Sequence, residues 1–405
     1  MQSAKAQIQL NKNEERRVRL GHQWIFSNEI DTKKTPIKSF AAGEIVEVVD
    51  TRKNFLGTGY VNPTTLICVR LFTRDRITSV QGYLQKKITE ALELREHFIG
   101  GSYYRLVFGE SDGLPGLVID RYNDVFVIQM NTAGMENLKQ PILDVIKEMF
   151  QPKAIVLDND NSLRLLEGLE LYKDVVFGSL PEAIIVEEHG LKFEVDVMGG
   201  QKTGWFYDQR ENRALLNQFI KDHNNKSEGV KVLDLFSYVG AWGINAVTAG
   251  ADSVLCVDQS AAALELVQKN AELNGIKDKV ETLEQDVFEW MKSDKFSKQQ
   301  FDIVVLDPPA LIKRRKDAKN GKNAYRQLNE FALKVVKPGG MLITSSCSFH
   351  MPADDLRTVL VQGARPLKKS LQIIAEGRQG LDHPVQASMP ETSYLKTFYV
   401  RVPLS

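Results

Sequence analysis

A chain of 405 residues with 43% hydrophobic content exceeds the ~250–300 residues at which a single core stops growing, so two or three domains are expected. Three widely spaced cysteines exclude a disulfide framework and a Cys-rich zinc site, so no metal is expected and a reducing cytoplasm is the expected setting. No N-terminal run reads as a signal peptide and no stretch is long enough to span a bilayer, so no membrane partner is expected.

The 52 Lys and Arg balance 52 Asp and Glu, but unevenly: residues 1–80 hold 13 basic against 8 acidic side chains, residues 105–200 hold 8 against 17, and Lys313–Arg326 holds 7 against 1. Basic ends around an acidic middle permit nucleic-acid contact through patches.

Residues 7–78 read as short strands, Ala6–Leu10, Gly43–Asp50, Phe55–Val61 and Leu66–Phe72, with few positions helical in pattern, hence a small β-barrel-like module. Its run from Arg16 to Ser27 interleaves Arg16, Arg17 and Arg19 with Trp24 and Phe26. The arginines are RNA-binding candidates by phosphate contact, and the aromatics fit the barrel core. The segment resembles a PUA domain, an RNA-binding module, and Gly21-His22-Gln23-Trp24-Ile25-Phe26-Ser27 is how that module begins in one methyltransferase family. Cys68, in an alternating strand, reads as core.

Residues 79–99 carry a helical stripe, Leu84, Ile88 and Leu92. A turn and strand follow at Glu110–Asp120, then a strand at Val125–Met130, a helix at Leu138–Phe150 and a strand at Ala154–Leu157. Carrying the acidic surplus, this α+β middle domain is a poor RNA surface. Phe193–Met198 and Gly204–Tyr207, flanking Gly199-Gly200, read as a hairpin, and Lys202–Arg210 leads into a helix from Asn212. The domains are expected at 1–78, 79–192 and 193–405.

From Val230 the pattern is strand and helix repeated, hence a parallel, Rossmann-like α/β sheet. Val230–Leu233 is its first strand, Asp234 stands at the end, and Gly240 and Gly243 open a helix through Ala249. The acid-x-Phe-x-x-x-Gly spacing is looser than the dinucleotide fingerprint that a pyrophosphate needs, and resembles the first motif of S-adenosylmethionine (SAM) methyltransferases. Later strands end at Asp258, near Asp286, at Asp307 and at Ser346, and ligands of open α/β sheets bind at such carboxyl ends. Asp258 would accept the ribose hydroxyls, Asp286 the adenine amino group, and Asp234 would meet the methionine end through a backbone or water contact.

Two further stretches carry chemistry. Asp307-Pro308-Pro309-Ala310 matches a loop of amine methylases except that Ala310 replaces their stacking aromatic, which argues against amine methylation. Cys347 follows an apolar strand among Ser345, Ser346 and Ser348, where packing explains a cysteine less well than a place in the ligand crevice. A thiolate and a carboxylate beside a methyl donor suit carbon-5 methylation of a pyrimidine: Cys347 adds at carbon 6 and Asp307 stabilises charge on the ring edge. A base must then take the carbon-5 proton, with Asp307 and His383 as candidates, and a nearby cation is needed to lower the Cys347 pKa. Lys313, Arg314 and Arg315, with Lys319 and Lys322 behind them, would clamp phosphates beside a flipped base.

Over nearly its whole length the chain resembles the bacterial PUA-containing large-subunit ribosomal RNA cytosine-5 methyltransferases. The resemblance rests on Gly21–Ser27, Asp112–Leu117, Lys202–Arg210, Phe236-Ser237-Tyr238, Asp307-Pro308-Pro309 and Ser345–Ser348. It implies a class I methyltransferase domain behind a PUA domain and an α+β domain, ribosomal RNA as partner, and the nucleophile at Cys347. It also implies SAM contacts at Asp208, Arg210, Phe236, Ser237, Tyr238 and Gly240. Methylation of guanine or uracil on the same scaffold, or an RNA-binding assembly factor with a vestigial SAM site, are the alternatives, and the choice between monomer and homodimer stays open.

Overall fold

The computed structural model describes residues 6–200, 203–223 and 229–404. The chain forms two compact units: 1–184 with 196–205 and 381–392, and 185–195 with 206–380 and 393–405.

The first unit holds two five-stranded sheets. One is built from β1 (Gln7–Gln9), β2 (Trp24–Phe26), β3 (Glu44–Val49), β4 (Phe55–Val61) and β5 (Ile67–Thr73), in the order β1-β3-β4-β5-β2. Ile8, Val18, Ile25, Val46, Val48 and Leu71 form its core, and Cys68 is buried with them. Two features of this region differ from the sequence expectation. Trp24–Phe26 is a fifth strand, and the arginine run folds into a helix, α1 (Glu15–Arg19), which buries Val18 and leaves Arg16 and Arg19 exposed. Trp24 is only half-buried, because its indole N–H donates to Glu110 Oε1 at 2.8 Å and its face takes the Arg70 guanidinium.

The second sheet follows α2 (Val80–Phe98), whose Leu84 and Ile88 are buried as the stripe required. Its strands are β6 (Tyr103–Phe108), β7 (Leu117–Tyr122), β8 (Val125–Met130), β9 (Ala154–Asn159) and β10 (Tyr172–Gly178), with α3 (Lys139–Phe150) between β8 and β9. The hairpin expected around Gly199-Gly200 does not form. β12 (Leu191–Val195) pairs with β11 (Ile184–Glu188) instead. Asp196 ends the strand: its Oδ1 accepts the N–H groups of Met198 and Gly199, both at 2.8 Å, and turns the chain where pairing would have continued.

The second unit is a seven-stranded sheet. After α4 (Arg210–His223) come β13 (Lys231–Leu235), α5 (Ala241–Thr248), β14 (Ser253–Asp258), α6 (Ala261–Leu273), β15 (Val280–Glu284), β16 (Phe301–Leu306), α7 (Ala318–Val335), β17 (Val336–Ser346), α8 (Ala353–Ala364), β18 (Gln372–Arg378) and β19 (Lys396–Arg401). The order is β15-β14-β13-β16-β17-β19-β18. Side chains alternate across it as the pleat dictates. Val232, Val254, Ile303, Val305 and Ile343 pack with Leu216, Trp242 and Val267 of α4, α5 and α6. Leu233, Leu235, Val304, Leu306 and Leu342 pack with Tyr325, Leu328, Leu356 and Leu360 of α7 and α8. Helices on both faces make this a doubly wound, Rossmann-like unit. The sheet is not parallel throughout, because β19 runs antiparallel between β17 and β18. No helix among the described residues is long and apolar enough to cross a membrane.

Candidate active site

The chain runs outward from β13 through β14 to β15, then returns to lay β16 on the other side of β13. At that reversal the connections leave a crevice beyond the carboxyl ends of the strands, where ligands of open α/β sheets bind. Asp234, Asp258 and Asp307 all lie at these ends.

The turn after β13 has an unusual backbone. Phe236, Tyr238 and Gly240 all have positive φ, at 61°, 50° and 82°, and the first two carry steric strain that glycine avoids. Two strand-end acids hold the turn. Tyr238 donates its N–H to Asp258 Oδ2 at 3.0 Å, while Asp258 Oδ1 accepts the Ser260 N–H at 3.0 Å. Asp234 is fully buried and its Oδ2 accepts the Gly243 N–H at 2.9 Å. Gly243 is needed for that approach, since a Cβ there would stand 2.8 Å from Cys256 Sγ. Burial pushes the Asp234 carboxyl up to about 8; the Gly243 N–H works against this, and the charges of Asp307 and Asp258 add to the rise. Among the described residues, Asp234 Oδ1 and Ser237 Oγ are buried polar atoms with no hydrogen-bond partner, so both can take a polar ligand. Asp286 is exposed and caps the short helix Val287–Trp290 through the Glu289 N–H at 3.0 Å.

Asp307 stands one residue past β16, and Cys347 one residue past β17, with Leu306 paired to Thr344 between these neighbouring strands. Asp307 Oδ2 accepts hydrogen bonds from Gln209 Nε2 and Trp242 Nε1, both at 3.0 Å. Cys347 is half-exposed, whereas Cys68 and Cys256 are buried and their thiols pushed up by burial, Cys68 to about 11. Around Cys347 the strand end is clamped. Ser346 Oγ donates to the Tyr325 hydroxyl at 2.9 Å, Tyr325 shares a second bond with Ser348 Oγ at 3.1 Å, and Ser348 Oγ accepts the Ile312 N–H at 3.1 Å. The loop after Asp307-Pro308-Pro309 is thereby tied to the cysteine strand.

Gln209, Trp242, Tyr325 and Lys396 were not singled out by sequence reasoning. Gln209 lies inside the Lys202–Arg210 stretch but is flanked by the charged residues that drew attention. Asp208 Oδ2 accepts the Tyr394 hydroxyl, and Arg210 sits 3.5 Å from Glu188 Oε2 and over the Tyr207 ring. Lys202 lies outside the described residues. His383, in the first unit, is buried with Nδ1 at 2.8 Å from Asp382 Oδ1 and its ring against Phe108.

The two basic segments differ. Lys313, Arg314 and Arg315 are exposed, and Arg314 pairs only with neighbouring Asp317 at 3.0 Å. Lys322, behind them, pairs with Asp355 at 2.6 Å. On α1, Arg17 pairs with Glu29 at 2.7 Å and Arg19 with Asp50 at 2.8 Å, both keeping exposed surface, and Arg16 is exposed. Among the described residues no group of His, Cys, Asp and Glu could hold a metal ion.

Comparison with known proteins agrees with this architecture. Residues 8–74 match the PUA-like domain model, and residues 213–344 match a family described as conserved hypothetical protein 95. The chain is similar in fold, at 20% identity, to a protein from Streptococcus mutans described as a candidate SAM-dependent methyltransferase (TM-score 0.80, covering 98% of this chain and all of that one). It is also similar, at 20% identity, to a candidate methyltransferase solved in complex with SAH (TM-score 0.82, same coverage). The ribosomal RNA large subunit methyltransferase I of Klebsiella pneumoniae (strain 342) is 34% identical over 399 residues, 97% of each chain. That of Pseudoalteromonas atlantica is 35% identical over 402 residues, 98% of this chain and 99% of its own. The chain belongs to the ribosomal RNA large subunit methyltransferase I family.

Proposed function

We propose that this protein is a SAM-dependent methyltransferase that forms 5-methylcytosine in large-subunit ribosomal RNA, with Cys347 as nucleophile and Asp307 as its partner. The observation that carries this reading is the pairing of a hydrogen-bonded carboxylate and a half-exposed thiol at the ends of neighbouring strands, beside the strained β13 turn.

The turn suits the cofactor. Asp258 retains lone pairs for ribose hydroxyls after binding the Tyr238 and Ser260 N–H groups. Ser237 Oγ offers an unused polar group, Phe236, Tyr238 and Gly240 line the turn, and Asp286 can accept an amino group with its exposed carboxylate. Asp234 acts from behind, fixing Gly243, and Asp208 and Arg210 brace the segment that presents Gln209. When bound, the cofactor supplies an electrophilic methyl group.

The protein's own residues do the rest. Carbon 5 of cytosine is a poor nucleophile, so the Cys347 thiolate adds at carbon 6 and turns the ring into an enamine whose carbon 5 takes the methyl group. Asp307, oriented by Gln209 and Trp242, acts as a carboxylic acid that passes its proton to nitrogen 3 as the thiolate adds, neutralising the negative charge pushed onto that edge, and takes the proton back when Cys347 departs. A base then removes the carbon-5 proton and Cys347 departs. RNA is held by Lys313, Arg314 and Arg315 beside the chemistry and by Arg16, Arg17 and Arg19 of α1, in the cytoplasm where ribosomes are assembled.

Mass mapping of large-subunit ribosomal RNA from cells with and without the gene tests this. Loss of a single 5-methylcytosine is the expected result, and loss of a methyl group from a guanine or uracil instead would overturn the base assignment.

A further inference from the structure

One charged group near the thiol has no part in the steps above. Lys396 opens β19 directly opposite Ser346, so its side chain rises beside the strand end that carries Cys347. The side chain is half-buried, and its ammonium donates to the carbonyl oxygens of Ser348 at 2.7 Å and Tyr394 at 2.6 Å. These two bonds hold the nitrogen at the carbonyl of the residue next to Cys347, close enough for the two charges to be coupled. Among the described residues Lys396 makes no ion pair with a carboxylate. A partly desolvated ammonium facing only neutral carbonyls is an uncompensated positive charge, and it favours an anion beside it.

We propose that Lys396 is a positioning residue for the nucleophile: its ammonium, held by the Ser348 and Tyr394 carbonyls, is the counter-charge that keeps Cys347 as a thiolate before RNA arrives. Among the described residues, the titratable groups Tyr325, Asp307 and His350 do not supply that charge. The Tyr325 hydroxyl, presented by α7, is pushed up by burial and stays neutral, giving a dipole only. Asp307, from the end of β16, is an acid and brings no positive charge; His350 follows in the cysteine's own loop. Burial, only partly opposed by the Cys347 charge, pulls Lys396 down to about 8, so the cation is present at neutral pH and is lost above that range. The thiol proton leaves to solvent, and the sulfur stays charged through the neutral range.

The inference rests on the reading of Cys347 as nucleophile, but its test needs neither RNA nor cofactor, so the two fail separately. The rate of iodoacetamide alkylation of Cys347 is measured against pH in the full chain, with the modified peptide identified by mass. Cys68 and Cys256 are buried, so the fast phase reports Cys347. The wild-type midpoint is expected below the ordinary thiol value of ~8.5. Lys396→Gln keeps a donor without the charge and is expected to raise the midpoint by about one pH unit, so alkylation at neutral pH slows roughly tenfold. Lys396→Arg keeps the charge and is expected to restore the low midpoint. A wild-type midpoint at the ordinary value overturns the proposal even if neither variant folds, and so does a Lys396→Gln profile that overlays the wild type. Methylation could still proceed in either case, with the thiolate generated in another way.

Discussion

Tyr238 donates its backbone N–H to Asp258 Oδ2 at 3.0 Å, linking the turn after β13 to the end of β14. The bond explains how a non-glycine residue is held at a φ of 50°, since a charge-assisted bond offsets part of the strain. The carboxylate that shapes the turn is thus the one read as the ribose ligand.

Asp258→Ala is therefore expected to weaken SAM binding by about 1.5–3 kcal/mol, roughly tenfold to a hundredfold, through the removal of charge-assisted bonds. The fold should persist, because the β14 core residues Val254, Cys256 and Val257 are untouched. Calorimetry with unchanged affinity would remove Asp258 from the cofactor site.

The strand-end acids were legible because β13, β14 and β16 are short, mostly apolar runs with a carboxylate at, or one residue from, the last position, and the parallel core follows from the alternation of such runs with helices. What surrounds Asp307 and Cys347 was not legible, because it is made by distant pairings. Gln209 reaches Asp307 across 98 positions and carries no charge to draw attention. Lys396 meets Ser346 through an antiparallel strand that the strand–helix rhythm gave no reason to expect, and it sits in no motif. The hairpin around Gly199-Gly200 failed for a local reason, as the Asp196 side chain captured two backbone N–H groups and closed a turn before a strand could pair.

Asp234 makes stability depend on pH in a defined direction. Its carboxyl titrates near 4 in the unfolded chain and near 8 in the fold. Between those values the folded state holds a proton that the unfolded state has released, so this group's contribution is fully present below pH ~4 and is lost as pH rises through 8. Asp234→Asn keeps an acceptor for the Gly243 N–H and has no proton to lose. Urea unfolding should show the variant gaining on the wild type from pH 5 to 8. Parallel curves across that range would mean that Asp234 is charged in the fold.

Charge reversal at Arg314 and Arg315 tests the loop beyond Asp307-Pro308-Pro309. Both side chains are exposed and Arg314 holds only Asp317, so neither change should disturb the fold. If they neutralise phosphates, RNA affinity falls and the dependence of log affinity on log salt flattens by roughly 0.7 for each single-strand phosphate that is no longer neutralised. SAM affinity should not move. An unaltered salt slope would assign phosphate binding elsewhere, with α1 the next place to look.

The sharpest prediction concerns Cys347. If the thiolate must add at carbon 6 before carbon 5 can take a methyl group, Cys347→Ala should abolish turnover rather than slow it. Binding of SAM and of RNA should survive, because the thiol serves neither. RNA carrying 5-fluorocytosine at the target should trap the wild-type enzyme, since fluorine cannot leave as the proton does. The trapped complex should withstand denaturation and map by mass to Cys347, not to buried Cys68 or Cys256. Asp307→Asn keeps a side chain that Gln209 and Trp242 can reach but has no proton to give to nitrogen 3 of the adduct, so trapping should fall sharply. A Cys347→Ala protein that still methylates its RNA would exclude 5-methylcytosine by this route and point to attack by a ring nitrogen, which needs no covalent help.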